Sequence, residues 1–250
     1  MIRVEELHKA FDGIKVLKGA SLQVDKGEIF ALIGRSGYGK SVLLKHVPAL
    51  MRPDQGRIMI DGQDVSALRG RALLRLRDRM GFLFQGGALF SSMTIFENVA
   101  FPLKEKTRIS GAGIGEKVNY ELDQVGLFNA GHKYPSELSG GMIKRAAIAR
   151  ALVEEPEIML FDEPTTGLDP LTGQTILNLI DSCHKRVKFT GIIVTHEIPK
   201  IFDIVDKVAM LHDGAVRFAG TPAEIMSSED PIVRAFITGG KEGVDTLSAI

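Results

Sequence analysis

Apolar residues gather along this chain in two kinds of pattern. The first is the uninterrupted run: Ile29-Phe30-Ala31-Leu32-Ile33, Ile158-Met159-Leu160-Phe161 and Gly191-Ile192-Ile193-Val194, with Met80-Gly81-Phe82-Leu83-Phe84 similar. Short runs without alternation predict strands buried on both faces, as in a parallel sheet flanked by helices. The second pattern is periodic. Ile2, Val4 and Leu7 follow a half-buried strand with a slip, and Val16-Leu17 and Leu22-Gln23-Val24 continue it. Phe11-Asp12-Gly13 and Asp25-Lys26-Gly27 are turn signals. Asp61-Gly62 and Asp213-Gly214 are hairpin signals, the second joining strands over 207–211 and 215–219. Apolar spacing of three and four predicts helices over 40–50 (stopped by Pro53), 69–79, 95–101, 114–125 and 141–153. Between 86 and 155 such patterns dominate, which predicts a helical insert in an α/β core. Thr221-Pro222-Ala223-Glu224 reads as a helix start, with Thr221 as cap and Pro222 in the first turn, and 231–237 as one more short helix. Gly239-Gly240 marks a break. Residues 241–250 form a tail, either mobile or available to a partner.

The first apolar run feeds Gly34-Arg35-Ser36-Gly37-Tyr38-Gly39-Lys40-Ser41, which opens into the helical stripe of Val42, Leu43 and Leu44. Strand, glycine-rich loop and helix are the setting that the G-x-x-x-x-G-K-[ST] phosphate loop requires. Glycines let main-chain N–H groups fold inward around phosphate oxygens, and the helix N-terminus adds its positive dipole end. Lys40 would reach the terminal phosphates and Ser41 would place its hydroxyl on Mg²⁺. Tyr38 stands out as bulky where small or polar residues are common.

Other candidates fall at strand ends, where parallel α/β sheets bind ligands. Gln85 ends the run over 80–84, and its amide would coordinate Mg²⁺ or position water. The run over 158–161 ends in Asp162-Glu163, two carboxylates suited to holding Mg²⁺ through water and to polarising an attacking water. His196 follows the run over 191–194 and is placed to hydrogen-bond a γ-phosphate. Ser139-Gly140-Gly141 precedes the strongest part of the helical pattern over 141–153, Ile143 to Val153, as either a second anion cradle or a plain helix cap. Phe11 is either a stacking platform for a purine base or an ordinary buried aromatic.

Composition narrows the partners. The 250 residues carry 31 basic and 31 acidic side chains, so no bulk charge argues for nucleic acid or for an anionic membrane surface. Arginines over 69–79 read as a solvated helix face in preference to a docking patch. The one cysteine, Cys183, cannot close an intrachain disulfide, and no zinc ligand set is visible. The acidic start, Met1-Ile2-Arg3-Val4-Glu5-Glu6, is unlike a signal peptide. No apolar run approaches the roughly 18 residues of a spanning helix. A membrane role would therefore come through partners.

Taken in order, these residues resemble the ATP-binding cassette (ABC) transporter ATPases over about residues 1–240. Gly34 to Ser41 matches the family's Walker A motif, Gln85 its Q-loop, and Leu138-Ser139-Gly140-Gly141 its signature. Ile158 to Glu163 matches Walker B with the catalytic glutamate, Leu168-Asp169 the D-loop, and His196 the switch histidine. Phe11 falls where the family places its base-stacking aromatic. The resemblance implies an α/β phosphate-loop NTPase core with an antiparallel β subdomain and a helical subdomain inserted at about 86–155, all one domain. It implies ATP and Mg²⁺ as ligands, and catalysis by Glu163, His196, Gln85 and Lys40. It also implies two copies paired head to tail, with Ser139, Gly140 and Gly141 of one closing on ATP held by Gly34 to Ser41 of the other. A single cassette without a membrane span implies separate permease subunits and a peripheral place on the cytoplasmic side of the inner membrane. Met142, where many importers have Gln, and the segment Gly86-Gly87-Ala88-Leu89-Phe90-Ser91-Ser92-Met93-Thr94-Ile95-Phe96-Glu97-Asn98-Val99 look like the ATPases of Mla/Mce-type lipid transporters, which adds an Mce-domain partner to the expectation. Leu89, Phe90 and Met93 would either meet the permease or fill the insert's own core. Another ABC importer or exporter is the alternative. A repair or translation ATPase would carry a long coiled-coil insert or tandem cassettes, and a phosphate-loop kinase has no use for 138–141.

Overall fold

The computed structural model describes residues 2–107 and 109–239. The expected tail over 241–250, and Gly240 of the expected break, lie outside the described residues. In chain order the strands and helices are β1 (Ile2–Phe11), β2 (Ile14–Val24), β3 (Ile29–Ile33), α1 (Lys40–His46), β4 (Gln55–Ile60), β5 (Gln63–Asp64), α2 (Gly70–Arg77) and β6 (Met80–Leu83). They continue with α3 (Ile95–Lys106), α4 (Gly111–Gln124), α5 (Gly140–Leu152), β7 (Ile158–Asp162), α6 (Pro170–Val187), β8 (Thr190–Thr195), β9 (Lys207–His212), β10 (Ala215–Gly220), α7 (Pro222–Met226) and α8 (Pro231–Ile237). Two compact units divide the chain, one of residues 1–74 with 192–250, the other of residues 75–191.

The first unit holds two sheets. One is antiparallel, in the order β2-β1-β4-β5, with register slips in β1 after Val4 and again after Leu7. The other runs β10-β9-β3 and on to β8, with β3 and β9 parallel and β9 and β10 antiparallel. Every residue of β3 is buried, which is why its sequence is apolar without alternation. Both hairpin signals hold: Asp61 and Gly62, and Asp213 and Gly214, all take positive φ, the primed-turn geometry that matches strand twist. Helix α1 stops at His46, short of the expected Leu50. Ala49 takes a left-handed φ of 53°, and the Leu50 N–H closes back on the Lys45 carbonyl, so the chain turns before Pro53.

In the second unit β6 and β7 pair in parallel, Met80 opposite Ile158. Four helices accompany them. Helix α3 begins with a capping box of Thr94 and Glu97. It runs past its expected end at 101, through Pro102, to Lys106. Leu103 beyond the proline is buried, and that burial offsets the lost hydrogen bond. The turn before Pro170 caps the 18-residue α6 through the Asp169 side chain. Helix α6 is tied to α4 by Arg186, whose guanidinium donates to both Glu121 carboxylate oxygens at 2.8 Å. Helix α2 puts Leu76 inside and leaves its arginines largely exposed. Leu74 is also exposed. Among the described residues no helix is long and apolar enough to cross a membrane.

Candidate active site

The first unit contains Phe11, the phosphate loop and His196. The second contains Gln85, the loop over 139–141, Asp162 and Glu163.

In the first unit the loop leaves the end of β3 and enters α1. Gly34 has φ 145°, and a Cβ there would run into the Leu211 carbonyl oxygen of β9. Gly39 caps α1 at φ 93° and lies against Val16 and Leu17 of β2, 3.0–3.1 Å from where its Cβ would be. Only glycine meets both demands at either position. The spacing of these two glycines is thus a record of two close approaches. Lys40 is buried and turns its ammonium into the loop, donating to the carbonyls of Gly34 at 2.8 Å and Arg35 at 3.0 Å. Arg35, Ser36 and Gly37 are exposed, and Ser41 is half-buried in the first turn of α1. Backbone donors and a helix start around one ammonium form a cradle for a polyphosphate.

Tyr38 packs edge-on against His212 at the end of β9, ring centroids 5.1 Å apart and planes at 80°. Its bulk is accommodated by that neighbour. Phe11 is 40% exposed, which removes the buried-aromatic alternative. The Lys9 ammonium lies 5.5 Å from its ring centre. His196 is exposed at the end of β8.

In the second unit, Ser139 caps α5 by accepting from the Met142 N–H at 3.4 Å. Ser139 and Gly140 are exposed, while Gly141 is buried against Thr172 of α6. The cap and the open helix start coexist, so the two readings of this loop do not exclude one another. Asp162 ends β7 buried, 4% exposed. Glu163 follows with φ 52°, a left-handed conformation unusual for a side-chain-bearing residue. Thr166 donates to the Glu163 carboxylate at 2.6 Å. Gln85 is exposed just past β6. Its carbonyl oxygen accepts from the ammonium of Lys144 of α5, which also reaches the Glu163 carbonyl at 3.4 Å. Burial pushes the Lys144 ammonium below its ordinary pKa, against the pull of the Glu163 and Asp162 carboxylates. Among the described residues no three His, Cys, Asp or Glu side chains gather as a metal cage.

The segment after Gln85 is pinned from two sides. Arg150 of α5 donates to the carbonyls of Gly87 and Ala88, both at 2.8 Å. Buried Asn98 of α3 accepts from the Phe90 N–H at 2.7 Å and donates to the carbonyls of Phe90, Met93 and Thr94. Phe90 stays 42% exposed and Leu89 and Met93 are half-buried, so this segment does not fill a core. Lys144, Thr166, Asn98 and Arg150 escaped the sequence reading. Their only signal is a polar residue on an otherwise apolar helix face or beside a motif.

Residues 17–166 match the family described as ABC transporter. A relative from Haemophilus influenzae, the intermembrane phospholipid transport system ATP-binding protein MlaF, is 43% identical over 223 residues, 89% of this chain and 84% of its own length. A relative from Mycobacterium tuberculosis, the probable ribonucleotide transport ATP-binding protein mkl, is 40% identical over 242 residues, 97% of this chain and 67% of its own. Among solved structures, the dimeric cassette MJ0796 in a post-hydrolysis state with ADP and Pi superimposes with a TM-score of 0.81 at 32% identity, covering 89% of this chain and 99% of that one. Motif order, fold and relatives agree, and the chain belongs to the ABC transporter family as an ATP-binding, ATP-hydrolysing cassette.

Proposed function

We propose that this cassette powers the movement of phospholipid between bacterial membranes. The observation that carries the reading is the 43% identity to MlaF of Haemophilus influenzae over 89% of the chain. The pinned segment 86–93, with Phe90 exposed, supplies an apolar surface for a permease subunit. On this reading the chain sits on the cytoplasmic side of the inner membrane, held by the permease, with an Mce-domain protein in the same complex. The similar cassette MJ0796 is a dimer, and two copies of this chain would pair likewise.

Each site residue then has a role. Phe11 stacks on the adenine. The N–H groups over 34–41 and the Lys40 ammonium hold the phosphates. The exposed Ser139, Gly140 and the start of α5 close on the phosphates of a second copy. The oxygens of Ser41, Gln85 and Asp162 are hard donors that suit Mg²⁺, which is held by one or two carboxylates together with substrate phosphates. When bound, Mg²⁺ neutralises charge on the β- and γ-oxygens. Glu163 accepts a proton from the attacking water, and His196 hydrogen-bonds the γ-phosphate. Phosphoryl transfer is chiefly positioning and charge stabilisation, so residues donated by a second copy can gate it.

Two experiments test this. Glu163→Gln should bind ATP normally yet lose about 10²–10⁴ in turnover, roughly 3–5 kcal/mol of barrier. Wild-type turnover in that variant refutes the role of Glu163. Affinity purification from membranes should recover a permease with an Mce-domain protein, and the complex should move phospholipid between vesicles when given ATP. Recovery with a solute-binding-protein permease, or ATP-driven movement of ribonucleotides in place of lipid, refutes the lipid reading.

A further inference from the structure

The geometry points to Lys144 as a positioning residue for ATP hydrolysis: its buried side chain ties the main chain of Gln85 to the main chain of Glu163. The inference rests on the catalytic reading of those two residues given above.

Lys144 is 5% exposed on α5, on a face otherwise made of Gly141, Ala147 and Ile148. A buried ammonium is costly unless hydrogen-bonded. Among the described residues it forms no ion pair and donates to two backbone carbonyls instead, those of Gln85 and Glu163. A methionine would fill the same space with no charge to desolvate, and replacing buried ions by apolar residues of similar size is often neutral or stabilising. A lysine here is therefore poorly explained by packing alone.

Its two acceptors belong to the residues whose placement decides the chemistry. Glu163 is left-handed at φ 52°, a conformation that a residue with a side chain adopts only when its surroundings hold it there. The Lys144 bond to its carbonyl helps hold that conformation. Thr166 fixes the other end of the same residue at the carboxylate. Gln85 lies just past β6 in a loop, and Lys144 fixes its carbonyl while Arg150 fixes those of Gly87 and Ala88. Helix α5 begins at Ser139 and Gly140, so the signature, the loop of Gln85 and Glu163 share one rigid support. Lys144 touches neither water nor nucleotide in this role. It acts through the two residues it holds.

The test is steady-state ATPase kinetics on the full chain carrying Lys144→Met, Lys144→Arg and Lys144→Gln. Lys144→Met should keep the melting temperature within a few degrees and the KM for ATP within about twofold, while kcat falls about 10- to 100-fold, as for other residues that orient metal and water ligands. Lys144→Arg, which can still donate to both carbonyls, should restore most of kcat. In a Gln85→Ala background the same Lys144→Met change should cost less than in wild type, because residues acting as a unit are non-additive. Should Lys144→Met fail to fold, Lys144→Gln is read by the same criteria. An unchanged kcat in the folded variant, or the same fold-loss with and without the Gln85 side chain, overturns the inference. A wild-type chain that hydrolyses no ATP would instead sink the catalytic reading beneath it.

Discussion

Replacing Arg186 by methionine should be among the most destabilising single changes in the second unit. Arg186 forks onto both oxygens of Glu121 at 2.8 Å, and the two side chains are 22% and 4% exposed. The Glu121 bond holds the guanidinium well above its ordinary pKa. The exposures make the pair asymmetric. Arg186→Met strands a carboxylate that has almost no access to water. Removing one partner of a buried pair costs about 3–5 kcal/mol. Glu121→Gln instead leaves a guanidinium that can turn to solvent, so it should cost less, about 1–3 kcal/mol. At about 2–4 °C per kcal/mol for a chain of this size, Arg186→Met should lower the melting temperature by roughly 6–20 °C. Urea and thermal unfolding of both variants, with ATP absent, measure this directly. The double replacement Glu121→Leu with Arg186→Met should recover much of the loss, because neither charge is left alone. A single Arg186→Met costing under about 1 kcal/mol, or a double variant no better than the single, refutes the reasoning.

Two further outcomes follow from the first unit. Gly34→Ala puts a Cβ into the Leu211 carbonyl oxygen at a φ of 145°. It should cost at least about 1–3 kcal/mol in unfolding free energy and weaken ATP binding, read by urea titration and fluorescent-nucleotide binding. Phe11→Ala should raise the Kd for ATP by roughly 5- to 150-fold, the worth of one base–aromatic stack, whereas Phe11→Tyr should leave it nearly unchanged. An unaltered Kd in Phe11→Ala removes the stacking role.

What the sequence made legible, and what it hid, divides along a physical line. Local rules were enough for the phosphate loop, for the cap at Thr221, and for the hairpins at Asp61-Gly62 and Asp213-Gly214. In each case a short stretch carries its own hydrogen-bond or dihedral requirement. The buried strands β3, β7 and β8 were legible because burial on both faces leaves no polar position. The failures are non-local. Helix α1 ends early because Ala49 goes left-handed, which no single residue near it announces. Helix α3 crosses Pro102 because tertiary burial of Leu103 outweighs a local penalty. Lys144 is silent in the sequence because its two partners lie 59 and 19 residues away, and a lysine on a helix is ordinarily a surface residue.

Tyr38 shows the same line crossed from the other side, since it was visible as an oddity but had no local explanation. The explanation is β9. Its residues pair with β3, Met210 opposite Ile33, so its end stands beside the start of the phosphate loop. There Leu211 excludes any Cβ at Gly34, and His212 and Tyr38 meet in a T-shaped ring contact. Lys18 of β2 holds the same hairpin by its N–H to the Gly214 carbonyl at 2.8 Å, and β2 also supplies the wall against Gly39. The loop is thus braced by strands distant in sequence, and Tyr38 is one of the braces. An aromatic pair of this geometry is worth about 0.5–1.5 kcal/mol beyond its burial. Tyr38→Phe should therefore be silent, while Tyr38→Ser should lose about 1 kcal/mol and speed amide hydrogen exchange over 35–39. A double-mutant cycle with His212→Ala should return a coupling of that same size. If the coupling is nil while Tyr38→Ser still destabilises, the brace runs through other neighbours and the edge contact with His212 is incidental.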